Sequence, residues 1–356
     1  IETGPRLGDM KEVNPLDDLN PADIESIEII KGPAAGTLYG TEASAGVIQI
    51  ITKRGAEGDA QFDVSVTQGT LFMRNPAGRV GAKFSCREAF RPPCGEGTGL
   101  VQYNAYHESN RLFAEGWFTS DQRTTVGRQW PQKETFQYGH SRSYNASVRG
   151  GTQNVRYFLS GNYDDDLGTV WYNYDKTFRL RANISVVFNE NFSLDMSTGY
   201  IDGRTRFGSP AKGDGGIWED MMWGNGYCVP RINQKNACER LPGYQEHRPT
   251  DVSGLDVRRE YNRFTGSGTL NFVLGDWLSS RAIIGVDKGW DQNSNLWPLE
   301  TQLVPVYEET AIGTLTLEKP TTTNTSVDVS ATARFLLIFL ASFLSFGTSA
   351  RNFSVV

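Results

Sequence analysis

The sequence predicts a mainly β protein: a partial α/β unit, then antiparallel transmembrane β-barrel strands with short turns and long external loops. Three observations predict it. Apolar and polar residues alternate with period two through most of the chain beyond Gly55. Short turns rich in Gly and Asn take their place between hairpin strands, while long polar segments separate one hairpin from the next. The composition is only 38% hydrophobic yet 12% aromatic, with 38 glycines. That is poor in core-forming residues for a soluble globule of 356 residues, and suits strands with one apolar and one polar face.

The first unit reads as strand, short helix, strand. In "IESIEIIKG", Ile24, Ile27 and Ile29 are interleaved with acidic residues. Pro33 then opens a helical turn through Leu38 and Tyr39, which Gly40 ends. Gly46 precedes the β-branched strand "VIQIITK", from Val47 to Lys53. Ala34, Ala35, Gly36, Ala43, Ser44 and Ala45 let backbone approach backbone closely.

Beyond Gly55, "FDVSVTQ" places Phe62, Val64 and Val66 on one face and Asp63, Ser65 and Thr67 on the other. "SYNASVRG" alternates Tyr144, Ala146 and Val148 against Ser143, Asn145, Ser147 and Arg149. In "FRLRANISVVF", Phe178 to Phe188 present six apolar side chains against Arg179, Arg181, Asn183 and Ser185. "FSLDMSTGY" repeats the pattern, and similar alternation marks Tyr157–Tyr163, Phe264–Leu274, Leu278–Trp290 and Val327–Phe335. About eight strands of about ten residues result, long enough to cross a bilayer when tilted. "GGTQN", "NEN" and "GDW" are the short turns; Met73–Arg142, Asp164–Thr177, Asp202–Arg259 and Asp291–Thr325 are the long connections. Arg179, Arg181, Asp195 and Arg281 would face a watery lumen, and Tyr163, Phe178, Tyr200, Trp277 and Trp290 would form interfacial girdles. A soluble β-sandwich explains the alternation but not long loops confined to one side.

Enzyme chemistry finds no footing. A phosphate loop needs Lys followed by Ser or Thr after its last glycine, but Gly40 precedes Thr41-Glu42 and Gly46 precedes Val47. Dinucleotide and nucleophile-elbow spacings are absent, so neither catalytic residues nor a cofactor is expected. A net charge of −6 with no basic run gives no support to nucleic-acid binding. With three histidines and no CxxC spacing, no metal site is expected; "YDDDLG" (Asp164–Asp166) reads as an acidic loop tip rather than a cation site.

The four cysteines form two local pairs, Cys86 with Cys94 and Cys228 with Cys238. These local bridges are favoured among three connectivities, against four free thiols. Each would add about 2–3 kcal/mol by the chain-entropy model and imply an oxidising compartment. Trp218, Trp223 and Tyr227, on a long loop beside the second pair, form either a platform for a ligand or partner or a hydrophobic tuck.

The stretch "NPADIESIEIIKGPAAGTLYGTEASAGVIQIITKRG" resembles the C-terminal part of the plug domain of TonB-dependent outer-membrane receptors. Lys31-Gly32-Pro33, Leu38-Tyr39-Gly40, Gly46-Val47 and the Lys53-Arg54-Gly55 trio look most like the SusC/RagA branch, which imports oligosaccharides or peptides. Siderophore receptors usually carry Arg-Gly-Pro at the first of these. A looser resemblance covers Ser141–Val170 and Phe178–Tyr200, which look like the first barrel hairpins of that branch. The resemblance implies a plug inside a large barrel in the cell outer membrane, import driven by the TonB complex of the inner membrane, and a SusD-like surface lipoprotein as partner.

On that reading residues 1–57 are plug, 58–335 the N-terminal part of the barrel, and 336–356 an atypical tail. No export signal or TonB-contacting box is legible, alternation breaks after Arg334, and about eight strands fall short of the family's barrel. The sequence is therefore expected to be a receptor fragment, frameshifted or truncated near Phe335, and unable to transport alone. The alternatives are a siderophore-type TonB receptor and a soluble or surface β-rich carbohydrate-binding module.

Overall fold

The computed structural model describes residues 19–32, 36, 43, 45–81, 83–86, 100–107, 110, 135–207, 221, 227–231, 234–241, 256–297, 314–337 and 340–355. At the N-terminal end, Asn20 caps a 3-10 turn over Pro21–Asp23, its side chain accepting from the Ala22 amide at 3.0 Å, with Pro21 at the position where no amide is needed. β1 (Ile24–Lys31) follows and pairs antiparallel with β2 (Gly46–Thr52), so that Lys31 faces Gly46. Gly46 has φ 123°, and a Cβ there would lie 2.9 Å from the Ile30 carbonyl oxygen, so only glycine closes this ladder. The helical turn expected through Leu38 and Tyr39 falls outside the described residues.

A ten-stranded antiparallel sheet makes up most of the rest. Its strands are β3 (Gly58–Leu71), β6 (Gly139–Gly151), β7 (Val155–Leu167), β8 (Tyr174–Asn189), β9 (Phe192–Phe207), β12 (Asp256–Leu274), β13 (Leu278–Trp297), β15 (Thr321–Leu337) and β16 (Leu340–Val355), adjacent in that order. β14 (Thr314–Glu318) pairs with the far end of β13. Two satellite hairpins stand apart from this sheet: β4 (Lys83–Cys86) with β5 (Leu100–Tyr103), and β10 (Tyr227–Arg231) with β11 (Gln234–Leu241). A short helix, α1, spans Pro76–Val80.

All three expected tight turns are present, joining β6 to β7, β8 to β9 and β12 to β13. The sheet strands β6–β9, β12 and β13, however, run 13 to 20 residues rather than about ten. Asp164–Asp166 consequently lie within β7, not at a loop tip, and β7 and β8 are joined by residues 168–173 alone. Much of the extra length is polar, as at Asp164–Asp166, Asp175–Thr177 and Arg204–Arg206. Period-two hydrophobicity reports only the part of a strand that meets an apolar medium, so it ends before the backbone pairing does. The backbone likewise stays extended past Arg334, where alternation stops: β15 reaches Leu337 and β16 pairs along its length.

The two faces of the sheet differ sharply. Phe62, Val64, Leu159, Tyr163, Phe178, Leu180, Phe188, Met196, Phe264, Ile284 and Trp290 all lie exposed on one side. Ser160, Asn162, Arg179 and Asn183 are buried on the other. Tyr144, Tyr163 and Phe178 stand side by side in register, and Phe188 packs on Phe192 at 5.3 Å near the tight-turn end. Ten residues separate Phe178 from Phe188, about 33 Å of strand, which projects to about 25 Å at a tilt of about 40°. That is the height of an apolar membrane band. Leu159 sits near its middle, opposite Ala182. Leu159→Arg is therefore expected to destabilise the folded protein in lipid vesicles by about 2–4 kcal/mol, measured by urea titration. A loss within 0.5 kcal/mol, ordinary for an exposed surface site, would show that this face meets water.

Candidate functional site: the plug seat on the inner wall

The N-terminal unit sits against β6, β7 and β8, held by named side chains of β6 and β8. Asn20, whose Oδ1 caps the first turn, donates from Nδ2 to Asn145 Oδ1 on β6 at 3.1 Å. Asp23 is buried at the same corner and places Oδ2 3.5 Å from Arg181 Nε on β8, while its carbonyl accepts from the Lys53 amide at 2.9 Å. Asn183, one pleat along β8, donates from Nδ2 to the Lys53 carbonyl at 2.6 Å and to Thr52 Oγ1 at 3.2 Å. Ser197 on β9 donates to Asn183 Oδ1 at 2.7 Å and so fixes the orientation of that amide.

The chain leaves this seat through Gly55. A Cβ there would lie 2.3 Å from the Tyr157 backbone nitrogen on β7, a clash with main chain that cannot move aside. The Lys53-Arg54-Gly55 trio thus ends in a residue whose hydrogen side chain lets the strand pass against the wall before β3 begins at Gly58. Of the other motif residues, Lys31, Gly32, Gly46 and Val47 form the β1–β2 ladder or border it. Pro33, Leu38, Tyr39 and Gly40 lie outside the described residues.

Away from the seat the inner wall is a series of cross-strand polar pairs. Arg179 pairs with Asp164 and donates to Asn162 Oδ1 at 2.8 Å. Arg263 grips Asp287 through two bonds of 2.8 and 2.7 Å, and Arg259 bonds Asp291 at 2.9 Å with its guanidinium 4.0 Å above the Tyr261 ring. Thr177 and the Tyr261 hydroxyl are 3.2 Å apart. Ser185 donates to Asp195 at 2.6 Å. The lumen-facing placement expected for Arg179, Arg181 and Asp195 is what these contacts give. Two of the three carboxylates of Asp164–Asp166 are committed to bases, Asp164 to Arg179 and Asp165 to Lys176 and its neighbours, which corrects the reading of a free acidic tip.

The other expected sites are only partly in view. Trp218 and Trp223 lie outside the described residues, as does the side chain of Tyr227 at the start of β10; Met221, between the tryptophans, is fully buried. Cys94 also lies outside. Cys228 and Cys238 belong to facing strands of the β10–β11 hairpin, opposite Arg240 and Pro230 respectively. Asn20, Asp23, Asn145 and Thr52 were not singled out by sequence reasoning. Their one legible signal was "NPAD", an Asn cap with Pro at the first helical position.

Comparison with known proteins agrees with this geometry. A family profile described as TonB-dependent Receptor Plug Domain matches residues 5–47. The TonB-dependent receptor SusC of Bacteroides thetaiotaomicron is 28% identical over 204 residues, covering 57% of this chain and 18% of SusC. TonB-dependent receptor P26 of Formosa agariphila is 24% identical, covering 86% of this chain and 32% of that protein. The chain therefore spans about a fifth to a third of these relatives' length. Among solved structures, the RagAB peptide importer in its open-open state superposes with a TM-score of 0.60 at 16% identity, over 94% of this chain and 40% of that one, a likeness of fold. Plug sequence, seat and wall together support reading the chain as a fragment similar to TonB-dependent receptors of the SusC/RagA-like type.

Proposed function

We propose that this chain supplies the plug seat and part of the wall of an outer-membrane importer for oligosaccharides or peptides. The observation that carries the reading is the docking of Asn20, Asp23, Thr52 and Lys53 on inward-facing Asn145, Arg181 and Asn183. A unit held by polar contacts on the inward face of the wall strands supports a plug that blocks a lumen. The TonB complex of the inner membrane would supply the work that moves the plug, and a SusD-like surface lipoprotein would close over the long loops. No bond is made or broken in the cargo. Trp218, Trp223 and Tyr227 would contact cargo or partner, and bridges within the pairs Cys86–Cys94 and Cys228–Cys238 would fasten external loops. Growth of the host on a defined oligosaccharide or peptide as sole carbon source, with and without the full-length gene and with and without TonB, tests this. Loss of growth on one cargo class in both deletions is expected; uptake that survives removal of TonB would overturn the reading.

Two further outcomes follow from the seat and the loops. Asp23→Ala leaves the largely buried Arg181 guanidinium without its carboxylate, costing about 3 kcal/mol. Hydrogen exchange of residues 19–32 and 46–55 in the full-length receptor should then quicken by at least about tenfold, while the β12–β13 amides stay unchanged. Peptide mapping without reductant should recover Cys228 joined to Cys238 and Cys86 joined to Cys94; fully alkylatable thiols would remove the bridges.

A further inference from the structure

The outward face carries a group of bases that neither the plug seat nor the inner wall uses. Along β6, β7 and β8 the residues Arg142, Asp165 and Lys176 are neighbours in register. Each stands two residues beyond an exposed aromatic on the same strand, namely Tyr144, Tyr163 and Phe178. Two residues keep a side chain on one face and move it about 7 Å along the strand. His140, one pleat further along β6, completes the group. Lys176 Nζ lies 3.3 Å from Asp165 Oδ1, and His140 Nε2 and Arg142 lie 3.4 and 3.8 Å from Oδ2. One carboxylate thus gathers three bases and can neutralise only one charge. Arg142 and Lys176 keep 45% and 50% of their side-chain surface exposed.

A charged group on a surface is ordinarily just solvated. Its position is what gives this one a partner. It lies directly beyond the aromatic row that ends the apolar band, at the end of the sheet carrying the longer connections, which is the depth of lipid headgroup phosphates. On β13 Lys288 lies two residues to the band side of Trp290 and reaches back to it, its Nζ 4.8 Å from the ring centroid. The surplus is local. Arg204, beside Lys176 on β9, is adjoined by Asp202 and Glu260. A second base pair, Arg206 and Arg258 on Asp256, is ruled out as a docking point because Arg206 is buried, with the Tyr172 ring 5.3 Å from its guanidinium.

We propose that His140, Arg142 and Lys176, gathered by Asp165, hold the phosphate of an anionic lipid headgroup in the outer leaflet. The proposal rests on the outer-membrane reading above. Native mass spectrometry of the full-length receptor, purified from membranes and incubated with phosphatidylglycerol or phosphatidylcholine, tests it. Wild type is expected to retain the anionic lipid about tenfold better than the zwitterionic one. R142Q/K176Q should bring the two lipids to parity, R142K/K176R should restore the preference, and D165N, which frees the bases, should raise it. A membrane-integrated R142Q/K176Q receptor with unchanged preference, or a D165N receptor with a lowered one, would overturn the proposal alone. Recovery of the wild type in the soluble fraction would overturn the membrane reading and the proposal with it.

Discussion

The functional features of this chain depend on one antiparallel ladder running from β3 to β16, its register shifting only near Gly58–Gln61 and Val187–Asn189. Because side chains alternate with period two, a slip of one residue at any strand pair would carry its whole apolar set from the outer face to the inner one. The register aligns Tyr144, Tyr163 and Phe178 into one row on the outside, and Asn162, Arg179 and Ile201 into another on the inside. Cross-strand pairs reinforce it where slippage would be most harmful. Arg263 with Asp287 and Arg259 with Asp291 each join diagonally facing positions of β12 and β13, which favours the observed alignment.

That register also sets the character of the plug seat. The wall residues that reach the N-terminal unit are amide and guanidinium groups; their partners are an amide, a carboxylate, a hydroxyl and a main-chain carbonyl. These contacts are polar, although Phe158, inward-facing on β7 opposite Asn183, is also fully buried. Hydrogen bonds exchanged against water contribute only about 1 kcal/mol each, so a seat of this kind fixes position precisely and can be re-wetted without a large barrier. A hydrophobic interface of the same extent would hold the plug more permanently. The polar seat is thus suited to a part that must be moved and put back, whereas the main-chain crossover at Gly55, hard against β7, marks where the unit is tied to the wall covalently.

The fold class, the three tight turns, the inward charges of β8 and the outward aromatics were all legible in the sequence, because each is written in local period or local turn chemistry. What escaped was what depends on distant partners. Asp164 looked like part of a solvated acidic tip since its neighbours in sequence are acidic, yet its pairing partner Arg179 is fixed by the β7–β8 register. Strand ends escaped for a related reason: outside the apolar band polar residues enter both faces, as at Asp164–Asp166, and backbone pairing by itself leaves no periodic trace. Asn145 and Asn183 sat on a correctly assigned polar face, but nothing local distinguishes a residue that meets the plug from Asn162, which bonds within the wall. Only the fold brings Thr52 and Asn183 together across 131 positions.

The central claim is that the N-terminal unit seats on the inward face of β8, and disulfide trapping in the full-length receptor in its own membrane tests it most directly. Thr52 Oγ1 and Asn183 Nδ2 are 3.2 Å apart, whereas Leu180 on the same strand is exposed on the opposite face. T52C with N183C is expected to bridge spontaneously in high yield, and T52C with L180C not at all. Bridging to L180C, or equal failure of both pairs in a folded receptor, would contradict the account.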